Sequence, residues 1–399
     1  MKVAFVTPRY GPQVMGGAES GARQLAEQLR AHTGWESEVH TTCALDAITW
    51  ADELEPGTSL VNGVPVHRYP SAHGRLREFY ELDGLTRLAP GTATLDQAKR
   101  WVYYNGPVSP QLIEAVSASD ADAIAFYPYL YHPTVAAIGQ VRAPAVLHPA
   151  AHDEPALYLP VFRGTFGDAD AFCFHTASER KLVERWYPVA ERPQIVLGLG
   201  VGESAGAGRP GAELTGLEDR PYVVSVGRVD EHKGSKMLAT YFATYKERHP
   251  GPLALVLVGP VSAELDPHPD IVVTGTVSEA DKWDIVHDAL VAVSPSALES
   301  FSLVVIEAWV DGVPVLVNGA CGPTREHCEQ SGGGLWFTSY PEFEAVLDRL
   351  LADAELRALL GARGRIYVDT HFKWPVLIER YARFLDSVVA RGRGVPGLF

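Results

Sequence analysis

Two short runs in the second half of the chain bring cations and carboxylates together at spacings suited to holding a diphosphate. The first is Gly227-Arg228-Val229-Asp230-Glu231-His232-Lys233-Gly234, directly after the apolar run Tyr222–Val226. A loop at the carboxyl end of a parallel strand is where open α/β sheets bind ligands. Arg228 and Lys233 put two positive charges there, which suits a diphosphate. Read without that context, they are two solvated surface charges. The second run is Pro295-Ser296-Ala297-Leu298-Glu299-Ser300-Phe301-Ser302-Leu303-Val304-Val305-Ile306-Glu307. Its spacing predicts a strand over Ala289–Val293 and a helix over Ser302–Val310. The free N–H groups of Ser302, Leu303 and Val304 then open the helix and form an anion site. Glu307 lies about 7.5 Å further along the axis, an offset that fits a phosphate at the helix start and a ribose diol beside Glu307. Glu299, on the preceding loop, faces the sugar. The plainer alternative is a capped core helix with Glu307 as an incidental surface acid.

These loops need sheets to carry them. Lys2 to Thr7 reads as a buried strand, followed by a loop with Gly11, Gly16 and Gly17, a helix over Ala18–Ala31 and a strand over Glu38–Thr42. Strand–loop–helix–strand is a βαβ opening and implies a parallel sheet covered on both faces. Apolar runs recur at Ala123–Phe126, Ala145–Leu147, Ala171–Phe174 and Ile195–Leu197. From Gly198 to Gly216 the chain turns glycine-rich and poor in large apolar residues, a natural linker. The α/β pattern then restarts with a strand over Tyr222–Val226, a helix over Gly234–Arg248 and a strand over Leu253–Val258. Further runs follow at Ile271–Val273, Ala289–Val293 and Val313–Val317, and Trp374–Val389 is an amphipathic tail. The expected organisation is therefore a Rossmann-like domain over 1–197, a linker over 198–216, a second Rossmann-like domain over 217–374 and a tail helix over 375–399. Two such halves about a hinge make a cleft, where ligands gather.

Composition bounds the function. The 399 residues suit two domains, and 46% hydrophobic content supplies their cores. With 49 acidic and 34 basic residues the net charge is −15, which argues against a nucleic-acid binder. Cys43, Cys173, Cys321 and Cys328 are scattered without paired spacing, so a reducing, cytoplasmic compartment is expected. No run approaches eighteen apolar residues, so no membrane insertion is expected.

The E-x7-E run from Glu299 to Glu307, followed by AWVDGVPVLVN, resembles the signature of the retaining GT-B glycosyltransferases of group 1 (family GT4). The upstream G-R-x4-K-G is similar to that family's phosphate loop. Gly16-Gly17-Ala18-Glu19 looks like its N-terminal glycine loop, and His152-Asp153 looks like its first-domain HD motif. The resemblance implies a GT-B fold: two facing Rossmann-like domains, a cleft between them and a C-terminal helix crossing back to the first. It implies that Arg228 and Lys233 take the pyrophosphate and Glu307 the ribose hydroxyls. Glu299 and the Phe301–Leu303 backbone would hold the donor sugar, Gly17 would let backbone approach the β-phosphate, and His152 would line the sugar. The implied reaction is metal-independent transfer, with retention, from a nucleoside-diphosphate sugar as co-substrate. The family commonly carries glycines around Phe301, where this chain has Ser300 and Ser302.

Other patterns compete. Gly200-Val201-Gly202-Glu203-Ser204-Ala205 matches a dinucleotide fingerprint, but Gly206, Gly208 and Pro210 forbid the helix it needs. Asp168-Ala169-Asp170 resembles a metal-holding DxD; a helix-end or turn role is expected instead. His148 and His152 are four apart beside Asp153, but Pro149 argues against the helix a zinc pair would need. Tyr127, Tyr129 and Tyr131 read equally as acceptor stacking or as core packing. Arg75, Arg77, Arg87, Lys99 and Arg100 are interleaved with Glu78, Glu81, Asp83 and Asp96, so no basic membrane patch forms, and Tyr80, Tyr103 and Tyr104 point to a small polar acceptor. A GT-B nucleotide-sugar epimerase and a non-catalytic sugar-nucleotide binder would share the donor residues.

Overall fold

Val3–Val6, Ala123–Phe126 and Ala254–Val258 are uninterrupted apolar runs, and every residue in them is buried. Strands of that kind need cover on both faces, which parallel α/β sheets provide. The structure, a computed structural model, describes residues 1–14, 16–218 and 220–394. It divides into two units, Met1–Gly200 with the segment from Trp374, and Val201–Lys373.

The first unit contains β1 (Lys2–Val6), β2 (Glu36–Thr42), β3 (Gly57–Val61), β4 (Val64–Tyr69), β5 (Ala123–Phe126), β6 (Ala145–Leu147), β7 (Ala171–Phe174) and β8 (Gln194–Val196). Their order across the sheet is β3-β4-β2-β1-β5-β6-β7-β8, and all pairings are parallel except β3 with β4. Sequence patterning missed the β3–β4 hairpin. Its signal was the Asn62-Gly63 pair, both at positive φ (49° and 81°), which is the backbone of a tight hairpin turn.

The tail helix Trp374–Arg391 belongs to this first unit and packs against the helix Gly17–Thr33. It buries Leu377, Ile378, Tyr381, Leu385 and Val388. The Tyr381 hydroxyl is 3.0 Å from His148 Nε2, and Arg380 donates to the Val196 carbonyl at 2.6 Å. Gly200, the first glycine of the dinucleotide-like run, has a packing reason: a Cβ there would come within 2.4 Å of the Trp374 ring. His148, weighed above as a zinc partner of His152, is buried and stacked on Tyr127 with ring centroids 4.0 Å apart.

The second unit contains β9 (Tyr222–Val226), β10 (Ala254–Val258), β11 (Ile271–Gly275), β12 (Val291–Ser294), β13 (Val315–Asn318) and β14 (Gly334–Phe337). Their order is β11-β10-β9-β12-β13-β14, parallel throughout. In chain order this is 3-2-1-4-5-6, the doubly wound Rossmann arrangement, with its switch point between β9 and β12.

The glycine-rich stretch expected as a linker over 198–216 is tied down from residue 201 onward. The Asp284 carboxylate accepts the N–H groups of Ala207, Gly208 and Arg209 at 3.0–3.1 Å, and Asp288 accepts that of Gly211 at 2.7 Å. A short helix, Gly211–Thr215, follows. Small residues let consecutive amides converge on one carboxylate; a Cβ on Gly206 would meet Asp284 at 2.3 Å.

Candidate functional site

Lys233 and Glu299 are sixty-six residues apart, yet Lys233 Nζ lies 2.6 Å from Glu299 Oε1. The loop carrying Lys233 leaves β9, and the loop carrying Glu299 leaves β12. These are the two strands that flank the switch point. Gly234 holds the loops together: its φ is 74°, and a Cβ there would come within 2.6 Å of the Pro295 carbonyl. Glycine alone combines that left-handed backbone with so close an approach. The same carbonyl accepts from the Asn318 side chain at 3.0 Å, tying in the end of β13.

Asp230, which sequence reading passed over, shapes the phosphate-type loop. One of its carboxylate oxygens accepts the Lys233 N–H at 2.6 Å, and the other lies 3.2 Å from Arg228 Nη2. The signal was an acidic residue three positions before a helix-opening turn. Arg228 is otherwise exposed, with 60% of its side chain accessible, so most of its five donors point to solvent. Lys233 spends one of three donors on Glu299.

Ser302 corrects the expected helix start. The helix runs Leu303–Val310, and Ser302 precedes it at φ 77° and ψ 81°. A non-glycine residue in that region carries strain of order 1–3 kcal/mol, at one of the positions where the family resemblance favours glycine. The Ser302 hydroxyl is buried and has no partner among the described residues. The amides left at the helix start are thus those of Leu303 and Val304, since the Val305 N–H donates to the Ser302 carbonyl at 3.2 Å, with an unsatisfied hydroxyl beside them. The Phe301 side chain is core, packed edge-on against His327 and Phe372, so its ring does not face a ligand.

Glu307 faces Lys282, whose Nζ is 3.2 Å from each carboxylate oxygen. Nothing in the local sequence marked Lys282, since the helix Glu279–His287 carries no motif. Burial pushes the Glu307 carboxyl above its ordinary value, and Lys282 only partly offsets this. A carboxylate has about four lone-pair sites, so acceptor capacity remains beyond Lys282.

In the first unit, Gly16 and Gly17 follow β1 and behave differently. A Cβ on Gly16 would meet the Glu19 carboxylate at 2.4 Å and Arg9 Nη2 at 3.2 Å, whereas Gly17 has open space around it. Glu19 is locked to Arg9 at 2.5 Å, both side chains below one-tenth exposed. His152 follows β6. Its Nδ1 is 3.7 Å from Glu154 Oε1, and about a third of its side chain is accessible. The approach to it is constrained: Ala150 sits at φ 51°, and the Ala151 N–H donates to Glu179 at 2.8 Å. Glu179 also accepts the His175 N–H at 2.6 Å, and burial pushes its carboxyl up to about 7. Glu179 had no sequence signal.

Acceptor stacking by the tyrosine run is corrected for two members. Tyr127 and Tyr129 are fully buried, and Tyr129 packs on Phe162 and Phe166; Tyr131 meets the Trp50 ring edge-on at 5.1 Å. Asp168 ends the helix Phe162–Asp168. Asp170 accepts the Ala145 and Gly394 N–H groups at 2.8 Å and lies 3.6 Å from Arg393, so its carboxylate is spent on structure.

Residues 213–367 match the family model for glycosyl transferases group 1. The match lies within the second unit. Among curated relatives, trehalose synthase of Rubrobacter xylanophilus is 28% identical over 43% of this chain and 44% of its own length. D-inositol 3-phosphate glycosyltransferase of Segniliparus rotundus is 31% identical over 52% of this chain and 50% of its own length. The chain thus spans about half the length of these relatives. Among solved structures, Anabaena HepE in complex with UDP and glucose superposes with a TM-score of 0.67 at 16% identity, covering 97% of this chain and all of that one. At that identity the likeness concerns the fold, which is GT-B. No helix among the described residues is long and apolar enough to cross a membrane.

Glu307→Ala is expected to weaken nucleotide binding by about 1.5–3 kcal/mol, the size of a hydrogen bond to a charged group. In the ribose role expected of Glu307 the ionised carboxylate is the stronger acceptor, and burial raises its carboxyl above the ordinary value. Nucleotide affinity should therefore begin to fall on acidification earlier than an ordinary carboxylate would dictate, and Glu307→Gln should flatten that part of the profile. Calorimetric titration across pH checks both; unchanged affinity in Glu307→Ala sinks the ribose assignment.

Proposed function

We propose that this chain is a retaining, metal-independent glycosyltransferase that moves a sugar from a nucleoside-diphosphate sugar to a small polar acceptor. The observation that carries the reading is the meeting of Lys233 and Glu299 at the β9/β12 switch point. It joins the cationic loop to the loop of the E-x7-E run, within the residues that match the family model for glycosyl transferases group 1. A Rossmann switch point is where phosphates and nucleotides bind.

As the sugar's bond to the diphosphate breaks, negative charge develops on the departing nucleotide. Arg228 and Lys233 are fixed cations that stabilise that charge, and the Leu303 and Val304 amides with the Ser302 hydroxyl add neutral donors. Glu307 accepts the ribose hydroxyls. Glu299, oriented by Lys233, accepts from hydroxyls of the donor sugar. In the first unit, Gly17 is assigned to the β-phosphate and His152 to the transferred sugar. UDP in the Anabaena structure and the inositol phosphate in one relative's name support a nucleotide-sugar donor and a polyol-type acceptor. So does the surface: Arg87 and Arg100 are each paired with an acid on their own helix, Asp83 and Asp96, which lowers the local positive charge that a bilayer would draw on. A pocket of about 400 Å³ is lined by Tyr103, Tyr104, His132, Lys99 and Arg100 together with Val102, Val135, Ala136 and Val161, so it pairs a mostly apolar wall with polar groups that could hold a sugar or cyclitol.

The test is incubation with a panel of nucleotide sugars and small polyol or sugar-phosphate acceptors, with EDTA present. Retained-configuration product is expected in EDTA. Complete loss that Mn²⁺ restores would overturn metal independence; an epimerised donor without acceptor would replace transfer with epimerisation.

A further inference from the structure

Two strands of the first sheet bring together side chains of types that ligate metals, and a third adds a hydroxyl beside them. His40 on β2 and His67 on β4 are direct partners in the parallel ladder, and His67 is in turn the partner of Thr58 on β3. Glu38 is two residues before His40, so alternation along the strand places both on one face. The ligand atoms of Glu38, His40 and His67 all lie within 4.8 Å of one another. His40 Nε2 is 3.3 Å from Glu38 Oε1, and His67 Nε2 is 3.7 Å from Glu38 Oε2.

We propose that Glu38, His40 and His67 form a binding site for a divalent late first-row transition ion, zinc foremost. Two imidazoles and one carboxylate are a donor set that zinc takes, with a water completing the tetrahedron. The second observation is what holds the rings. His40 Nδ1 is 3.1 Å from the Tyr69 hydroxyl, and His67 Nδ1 is 2.9 Å from the Thr58 hydroxyl. In the tautomer where each Nδ1–H donates to its hydroxyl, both Nε2 lone pairs face the carboxylate, and a cation bridging the three acceptors stabilises that arrangement beyond what the Lys2 ammonium, 3.0 Å from Glu38 Oε2, supplies. This is the outer-shell pattern that fixes the tautomer of metal-bound histidine. The proton-only alternative has each Nε2–H donate to Glu38, but 3.7 Å is too long for such a bond at His67.

Tetrahedral zinc with ligands at about 2.0–2.1 Å would draw the three donor atoms to roughly 3.3 Å apart. The contraction is small for two side chains of a partly open sheet face. His67 keeps 27% of its side chain exposed, which provides the entry path. Lys2 Nζ lies 3.0 Å from Glu38 Oε2 and also pairs with Asp120, so it can yield Glu38 without losing a carboxylate partner. Cobalt, with visible ligand-field bands, serves as the probe.

The experiment titrates the full chain, freed of any affinity tag, with Co²⁺ and then displaces it with Zn²⁺. One Co²⁺ per chain, with bands typical of low coordination number, is expected. Thr58→Ala should lower affinity by roughly 10- to 100-fold, and His67→Gln by more. Because His67 lies at the exposed side, its variant tests the site even where Glu38→Gln or His40→Ala compromises folding. Absence of saturable binding overturns the proposal, as does equal affinity in His67→Gln and the parent chain, which would place the ion on other histidines.

Discussion

Lys233→Ala is expected to lower kcat for sugar transfer by about 10²–10³-fold, the usual size of losing one preorganised donor at a developing anion. Arg228→Ala should fall in the same range. The two are not equivalent. Arg228 is mostly exposed and, among the described residues, tethered to Asp230, so its loss removes charge and little else. Lys233 also orients Glu299, which is 15% exposed and has Lys233 as its ion-pair partner. Removing Lys233 therefore disturbs both the leaving group and the sugar contact, and KM for the donor should rise along with the fall in kcat. A double-mutant cycle with Glu299→Gln measures the shared part; residues in direct contact are expected to be non-additive. Near-normal kcat in both single variants would refute the leaving-group roles.

The largest stability effect is expected at Glu19→Ala, a loss of about 3–5 kcal/mol for breaking a buried ion pair from one side. Arg9 donates to Glu19 through Nε at 3.1 Å and Nη2 at 2.5 Å, and to the Leu45 carbonyl through Nη1 at 2.8 Å. Its guanidinium also lies over the Trp50 ring, 5.7 Å from the centroid. With Glu19 gone, the cation stays in a dry pocket with one carbonyl to answer it. Glu19→Gln keeps an acceptor and should cost less. Urea unfolding followed through Trp fluorescence reads the difference. A midpoint for Glu19→Ala equal to that of the parent chain would mean that the pair adds nothing to the fold.

Much of this protein was legible as local pattern. The βαβ opening, the second α/β series and the tail helix follow from periodicity, because a buried parallel strand needs an apolar run and an amphipathic helix needs its stripe. The runs Gly227–Gly234 and Pro295–Glu307 could be picked out from sequence as well, since the positions of Arg228, Lys233, Glu299 and Glu307 are set by spacing within one loop or helix turn. The hairpin β3–β4 was missed although Asn62-Gly63 announced it, because its strands are short and half polar.

Tertiary structure alone decided the partners. Lys233 meets Glu299, Lys282 meets Glu307, Arg9 meets Glu19, and Glu179 grips the strand exit before His152. Most of these pairs join different elements, and a charge in a sequence does not say which charge it will face. Likewise the tyrosine run could stack on a ligand or fill a core, and only the packing of Tyr127 and Tyr129 against neighbouring elements settles it as core. Ser302 shows the limit from the backbone side: its left-handed φ is imposed by the loop between β12 and the helix, not by serine's own preference. Sequence carries propensities that act within a few residues. The ion pairs among the candidate site residues, and the strained backbone at Ser302, come from contacts between segments far apart in the chain.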